Sequence, residues 1–256
     1  SDPTPAMILG SAVDCLVFNP NLWNERFAVA EQCETFTKGQ GRCSRKGSVH
    51  IEPSPNYPDS NGWYCTQHWN SAKKLFKEMP EPDTACILSP DQSSTAFNMA
   101  KAVLNHDGAK VLLDSCEHFQ LSLVWRENNL ICKGRLDGLS SELETVIDLK
   151  TCADASPEAF SRKVADFGYH RQAAMYLRGC AYHAIEAQNY VIIAVESDPP
   201  HAVALYTLTE RPWIGAGRPQ AYGSSPVEYG NRELLRLFDI YERCEATGEW
   251  PTYPSQ

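Results

Sequence analysis

Spacing of apolar and polar positions divides the chain into stretches of different texture. Over residues 6–18, Met7, Ile8, Val13, Leu16 and Val17 fit one broad face of a helix, and Pro20 ends it. Residues 27–30 fit a short strand. From 31 to 69 no periodicity of either kind survives, and Gly39, Gly41, Gly47, Gly62, Pro53, Pro55 and Pro58 interrupt the chain, so this stretch reads as an insert. Helices are expected over 70–79 and 91–104, the second capped by Ser89 or Asp91. The texture then becomes strand-like over 119–125, 130–139 and 145–151, with polar links between. After Ser156 and Pro157 it turns helical, with a long segment over 169–187. Strands at 190–195 and 202–208, a Gly/Pro-rich loop over 211–230 and a closing helix over 231–247 complete the pattern. There is no internal repeat and no low-complexity tract.

With 256 residues, 43% of them hydrophobic, the chain is expected to form one globular domain over 1–256 with the insert at 31–69 inside it. No apolar run is long enough to span a bilayer and no leader pattern opens the chain, so a soluble, cytoplasmic protein without a membrane partner is expected. The formal charge of −9 argues against a protein that coats nucleic acid over its whole surface. It permits a local basic track, and Lys133, Arg135, Lys150, Arg162, Lys163, His170 and Arg171 lie close together in sequence. An ordinary solvated surface is the competing explanation of those charges.

The segment VIDLKT carries the chemistry. Alternation along a strand puts Val146, Asp148 and Lys150 on one face and the apolar Ile147 and Leu149 on the other. Just upstream, GRLDGL ends the neighbouring strand with Asp137, one hairpin away, where two carboxylates can converge. Paired carboxylates repel unless a cation lies between them, and oxygen ligands suit Mg²⁺ or Mn²⁺. Such an ion lowers the pKa of an attacking water at a phosphodiester, and a lysine can hold that water and steady developing charge. Taken alone, an Asp-x-Lys in a strand is more often a salt bridge at a sheet edge.

The order CKGRLDGL, VIDLKTCADASPEAF, DFGYHRQAAMYLRG, with TPAMILGSAVDCLVFNP before it, resembles the RecE-type exonucleases (exonuclease VIII) of the PD-(D/E)XK superfamily. The resemblance implies an α/β fold, a central mixed sheet flanked by helices. It also implies Mg²⁺- or Mn²⁺-dependent exonuclease action on linear double-stranded DNA from 5′ ends, as a ring-like homo-oligomer acting with a single-strand annealing protein. Carried over, Asp137 and Asp148 match the metal-binding carboxylates and Lys150 the catalytic lysine. Tyr169 and Gln172 match a motif that would hold a phosphate or the lysine, against the alternative of a core-facing stripe with Ala173 and Tyr176. Glu117 matches an acidic position that would complete the metal shell. In the opening helix Asp14 stands where the family has histidine, which puts a second metal site in doubt.

Ten cysteines divide by surroundings. Seven lie in apolar stretches, where cysteine behaves as a small core residue. Cys33, Cys43 and Cys65 lie instead among Gly, Ser, Thr and charged residues, and Cys65 is followed at C-x-x-H spacing by His68. Three cysteines and a histidine among turn-forming glycines fit a tetrahedral structural Zn²⁺ site. The phrase also loosely resembles a small zinc module with a C-x-x-x-T-x-x-G-x-x-C beginning and a C-x-x-H end. Reduced loop cysteines and disulfides are the alternatives, whereas the late cysteines are too far apart for the iron–sulfur cluster of RecB-like nucleases. Such a closed site is expected to be structural or to dock DNA or a partner, with Lys38, Arg42, Arg45 and Lys46 as candidate contacts. Two functional readings compete with the exonuclease: an endonuclease or single-strand exonuclease using the same site, and a zinc-dependent DNA- or partner-binding protein on an inactive nuclease fold.

Overall fold

The computed structural model describes residues 3–31, 36–37, 41–45, 47, 49–51, 62–75, 86–127, 129–209 and 225–250, and its contacts divide the chain into two units, Ser1–Ala100 and Lys101–Gln256. In the first unit, Thr4 caps α1 (Pro5–Phe18) by accepting from Met7 N, and the helix buries Ala12, Val13, Cys15 and Phe18. A 3₁₀ turn (Pro20–Leu22) and the short α2 (Trp23–Arg26) lead into β1 (Phe27–Val29). Its parallel partner β6 (Cys86–Leu88) was not anticipated, since three residues are too few to display an alternation.

Among its described residues the insert forms two short antiparallel ladders. These are β2 (Phe36–Thr37) with β3 (Gly41–Arg42), and β4 (Val49–Ile51) with β5 (Gly62–Tyr64). Helix α3 (Thr66–Leu75) starts earlier than the expected residue 70, which puts His68 in its first turn. Helix α4 (Pro90–Asn105) follows, and the boundary between the units falls within it. Ser89, not Asp91, is its cap: Ser89 Oγ accepts from Gln92 N at 3.1 Å and Gln92 Oε1 accepts from Ser89 N at 2.9 Å, a reciprocal box.

The second unit opens with α5 (Asp107–Asp114), a further element missed in the sequence. It then builds one sheet from β7 (His118–Glu127), β8 (Leu130–Ser140), β9 (Thr145–Cys152), β10 (Asn189–Glu196) and β11 (Val203–Thr209), in the order β11-β10-β9-β8-β7. Only β9 and β10 run parallel. Their crossover carries α6 (Pro157–Asp166) and α7 (Tyr169–Tyr182), and α8 (Pro226–Thr247) closes the described chain. Helix α7 ends before the expected 187. Helix α8 begins before the expected 231, with Pro226 in its first turn and Ser225 as cap.

One face of the sheet and the three helices share an apolar cluster that includes Leu136, Val146, Phe160, Ala173, Ile192 and Leu234. Small residues set its closeness. A Cβ on Gly230 would lie 2.2 Å from the His170 carbonyl oxygen, so α8 meets α7 backbone to backbone. The result is the expected α/β arrangement, a mixed central sheet flanked by helices.

Candidate active site

The β8–β9 ladder pairs Ser140 with Thr145, Leu139 with Val146 and Gly138 with Ile147, and then stops. One step further Asp137 would face Asp148. There the backbone pairing is replaced by a side chain: Asp137 Oδ2 accepts a hydrogen bond from Leu149 N at 3.0 Å. Beyond the break β9 continues beside β10 alone, to Cys152.

The same point reverses the faces of β8. A Cβ on Gly134 would meet Tyr176 of α7, whereas one on Gly138 would meet Cys116, Ile147 and Phe119. In a regular strand these two positions would share a face. Across from Asp137, Gln120 has φ of 54°, in the left-handed region, and its Nε2 donates to Asp137 Oδ1 at 3.5 Å. Backbone conformation at Gln120 and the parting of the strands thus aim the half-buried Asp137 carboxylate into the gap.

Asp148 is only 2% exposed. The face opposite Asp148 and Lys150 carries the buried, apolar Ile147 and Leu149, as expected, and their own face is covered too: Val146 and Cys152, flanking them there, belong to the apolar cluster. A central strand with a parallel neighbour is covered on both faces. The buried carboxylate is held by Gln172 Nε2, which donates to Oδ1 at 2.9 Å, and by the Lys150 ammonium, which is ion-paired with Oδ2. Among the described residues Oδ2 has no other hydrogen-bond donor of standard geometry.

Burial disfavours the charge on Lys150. Asp148, with a smaller contribution from Asp137, outweighs this and raises the lysine above its ordinary value, so the ammonium is kept. Its Nζ also lies 5.2 Å from the centre of the Tyr169 ring, and burial raises the Tyr169 hydroxyl. The Tyr190 hydroxyl, fully buried on β10, faces Asp148 without a hydrogen bond of standard geometry, and burial followed by the nearby carboxylate raises it well above the ordinary tyrosine value.

Asp137, Asp148, Lys150, Tyr169 and Gln172 are therefore brought to one place, with Gln172 bonded to the Asp148 carboxylate. Glu117 is not brought there. Its carboxylate accepts from Ser141 N at 2.9 and 3.0 Å and from Ser141 Oγ, closing the turn after β8. Desolvation opposes its charge, but these bonds prevail and lower its pKa. Among the described residues, no third Asp, Glu, His or Cys joins Asp137 and Asp148 in a metal-binding cluster. Asp14 lies half-buried in α1 of the other unit. Gln120 and Tyr190 escaped sequence reasoning. For Gln120 nothing in the chain signals the backbone angle, whereas a lone hydroxyl in the aliphatic run NYVIIAVE was a usable sign for Tyr190.

In the first unit, ligand atoms of Cys43, Cys65 and His68 lie within 4.8 Å of one another. Both cysteines are buried, no disulfide links the described cysteines, and Cys65 Sγ stands 3.5 Å from His68 Nδ1. Tetrahedral zinc, with Zn–S of about 2.3 Å and Zn–N of about 2.0 Å, sets the S···N edge close to that separation. Cys33, expected as the fourth ligand, and Lys38 and Lys46 lie outside the described residues.

Residues 1–253 match DUF3799, described as a PDDEXK-like domain of unknown function. The chain belongs to this family. Membership accords with the PD-(D/E)XK expectation. No curated protein matches this DUF3799 chain. Among solved structures, a protein from Eubacterium rectale provisionally named an exonuclease aligns over 100% of this chain and 79% of its own, at 10% identity and a TM-score of 0.52. That likeness concerns the fold. The structure of SSO0001 aligns over 59% of this chain and 65% of its own at 13% identity, with a TM-score of 0.31.

Proposed function

We propose that this DUF3799 protein is a Mg²⁺- or Mn²⁺-dependent nuclease that hydrolyses linear duplex DNA from its 5′ ends, in the manner of the RecE-type exonucleases. The observation that carries the reading is the parting of β8 and β9 at Asp137, with Asp148 and Lys150 on the strand edge left open. The Asp148 carboxylate, held by Gln172 through one oxygen and countered by Lys150 at the other, suits a hard cation shared with Asp137. Bound there, the ion would polarise the phosphate and acidify a water. Lys150, kept protonated by the carboxylates, would orient that water and stabilise charge on the phosphate oxygens, while Tyr169 and Gln172 hold the lysine and Asp148 in place. Neighbour and resemblance both favour exonuclease over endonuclease. A homo-oligomer working with a strand-annealing protein in recombination belongs to the same reading.

A second, structural metal is part of the proposal: zinc on Cys43, Cys65 and His68, with Cys33 as fourth ligand. The test of the nuclease is release of nucleotides, with Mg²⁺, from linear duplex labelled at either end, with closed circular duplex as the control. Asp148→Ala and Lys150→Ala should each lower the rate by at least about a thousandfold. Near wild-type release by either folded variant, or cleavage of the circle as fast as the linear duplex, overturns the exonuclease assignment.

A further inference from the structure

Of the clustered cations noted in the sequence, several are committed elsewhere. Arg171 and His170 bind Glu233 at 3.2 and 2.8 Å, Lys150 binds Asp148, and Arg162 Nε donates to the Glu158 carbonyl at 3.1 Å. Lys133 and Arg135 are different. They project from the face of the β7–β8 hairpin opposite α7, where the register sets Ser122 against Arg135, Val124 against Lys133 and Arg126 against Ile131. All six side chains are exposed, and the three cations make no ion pair among the described residues. In a chain with 32 acidic and 23 basic residues, this face holds no carboxylate.

Its apolar members are as unusual as its charges. Ile131 is 73% and Val124 59% exposed, although the alternate positions Leu123, Trp125, Cys132 and Leu136 are buried under α7. Lys133 and Arg135 stand two residues apart on one strand, about 6.8 Å, with the neighbouring strand about 4.8 Å away. Along B-DNA one strand rises ~3.4 Å of axis per phosphate and also winds about that axis, so its consecutive phosphates stand farther apart in space than this rise, and the two cations can each take one of a neighbouring pair. The next residue in this series on β8 is Asp137, where the strand turns over into the candidate metal site.

We propose that the outer face of the β7–β8 hairpin is a docking track for duplex DNA. Arg126, Lys133 and Arg135 take the phosphates, Val124 and Ile131 lie against the deoxyribose rings, and the track leads the backbone toward Asp137. The proposal rests on the nuclease reading for the identity of its ligand, and its test is made on binding so that the two can fail separately.

Binding of the full chain to a short fluorescein-labelled duplex is measured by anisotropy in EDTA, over a series of salt concentrations. For Lys133→Glu/Arg135→Glu, Kd should rise at least about tenfold at low salt, and the slope of log K against log salt should shrink by about two. Lys110→Glu, an exposed cation on α5, should change neither. If the reversal pair does not fold, Lys133→Gln/Arg135→Gln is used, with a smaller expected rise of a few fold. Unchanged Kd and slope in folded variants overturn the track, as does a loss confined to single-stranded probes. Duplex binding that depends on the two cations, without nucleotide release in Mg²⁺, upholds the track and overturns the nuclease. Nucleotide release with Kd indifferent to the variants does the reverse.

Discussion

Asp148 is a carboxylate almost wholly removed from water, and its environment explains both its survival there and its use. Gln172 and Lys150 replace the lost hydration, and the lysine is in turn held over the Tyr169 ring. Removing one partner of such a pair leaves a buried charge exposed to the full desolvation penalty. Lys150→Met should therefore destabilise the metal-free protein by about 2 kcal/mol, less than a fully buried pair because the lysine side chain is 20% exposed. Adding Asp148→Asn should recover most of that loss, and Mg²⁺ should stabilise Lys150→Met by binding the carboxylates that the ammonium no longer neutralises. Urea unfolding in EDTA and in Mg²⁺ measures both effects. A Lys150→Met protein as stable as the parent in EDTA would mean that the pair contributes nothing.

At the scale of elements, Asp148 and Lys150 were legible because a two-residue period ties side-chain direction to sequence, and Asp137 because it ends the neighbouring strand one hairpin upstream. Two things were not. One is the reversal of faces at Gln120 and Asp137, which depends on a backbone angle that glutamine rarely adopts. The other is the direction of Glu117, settled by a turn residue, Ser141, that reaches it only once β7 and β8 are paired. Helix starts were misjudged for a related reason: Thr66, Ser225 and Pro226 fall in polar stretches that read as loop until their caps and tertiary partners are known.

The link between α7 and the hairpin offers a test at this scale. Arg178 binds Glu127 at the end of β7, donating from Nε and Nη2 at 2.8 and 2.6 Å. The arginine hydrogen bond, opposed by burial, holds the Glu127 carboxyl below its ordinary value of 4.5. A depressed carboxyl contributes stability that is present above its unfolded value and fades as pH falls through the folded one. Glu127→Gln should thus cost about 1 kcal/mol at neutral pH and nothing once the solution is acid enough to protonate the folded carboxyl. Unfolding curves across that range check the sign. A loss that persists unchanged into acid would assign the effect to packing of the side chain.

At the scale of the whole chain, the two units offer different donor sets: carboxylates on a sheet of the second, cysteine sulfur and imidazole in the insert of the first. Polar, glycine-interrupted chain with ladders of only two and three residues has little apolar area with which to hold itself, and a structural zinc can contribute on the order of 10 kcal/mol. Purified protein should carry about one zinc per chain. Cys65→Ser should lose that zinc and render residues 31–69 sensitive to protease. Mg²⁺-dependent release from a short duplex should persist in Cys65→Ser, because Asp137, Asp148 and Lys150 all belong to the other unit. Elemental analysis, limited proteolysis and the end-label assay, run on one preparation, separate the outcomes. Absence of zinc from the parent protein would remove the metal from the insert. Loss of both zinc and hydrolysis in a folded Cys65→Ser variant would instead make the insert a working part of the nuclease.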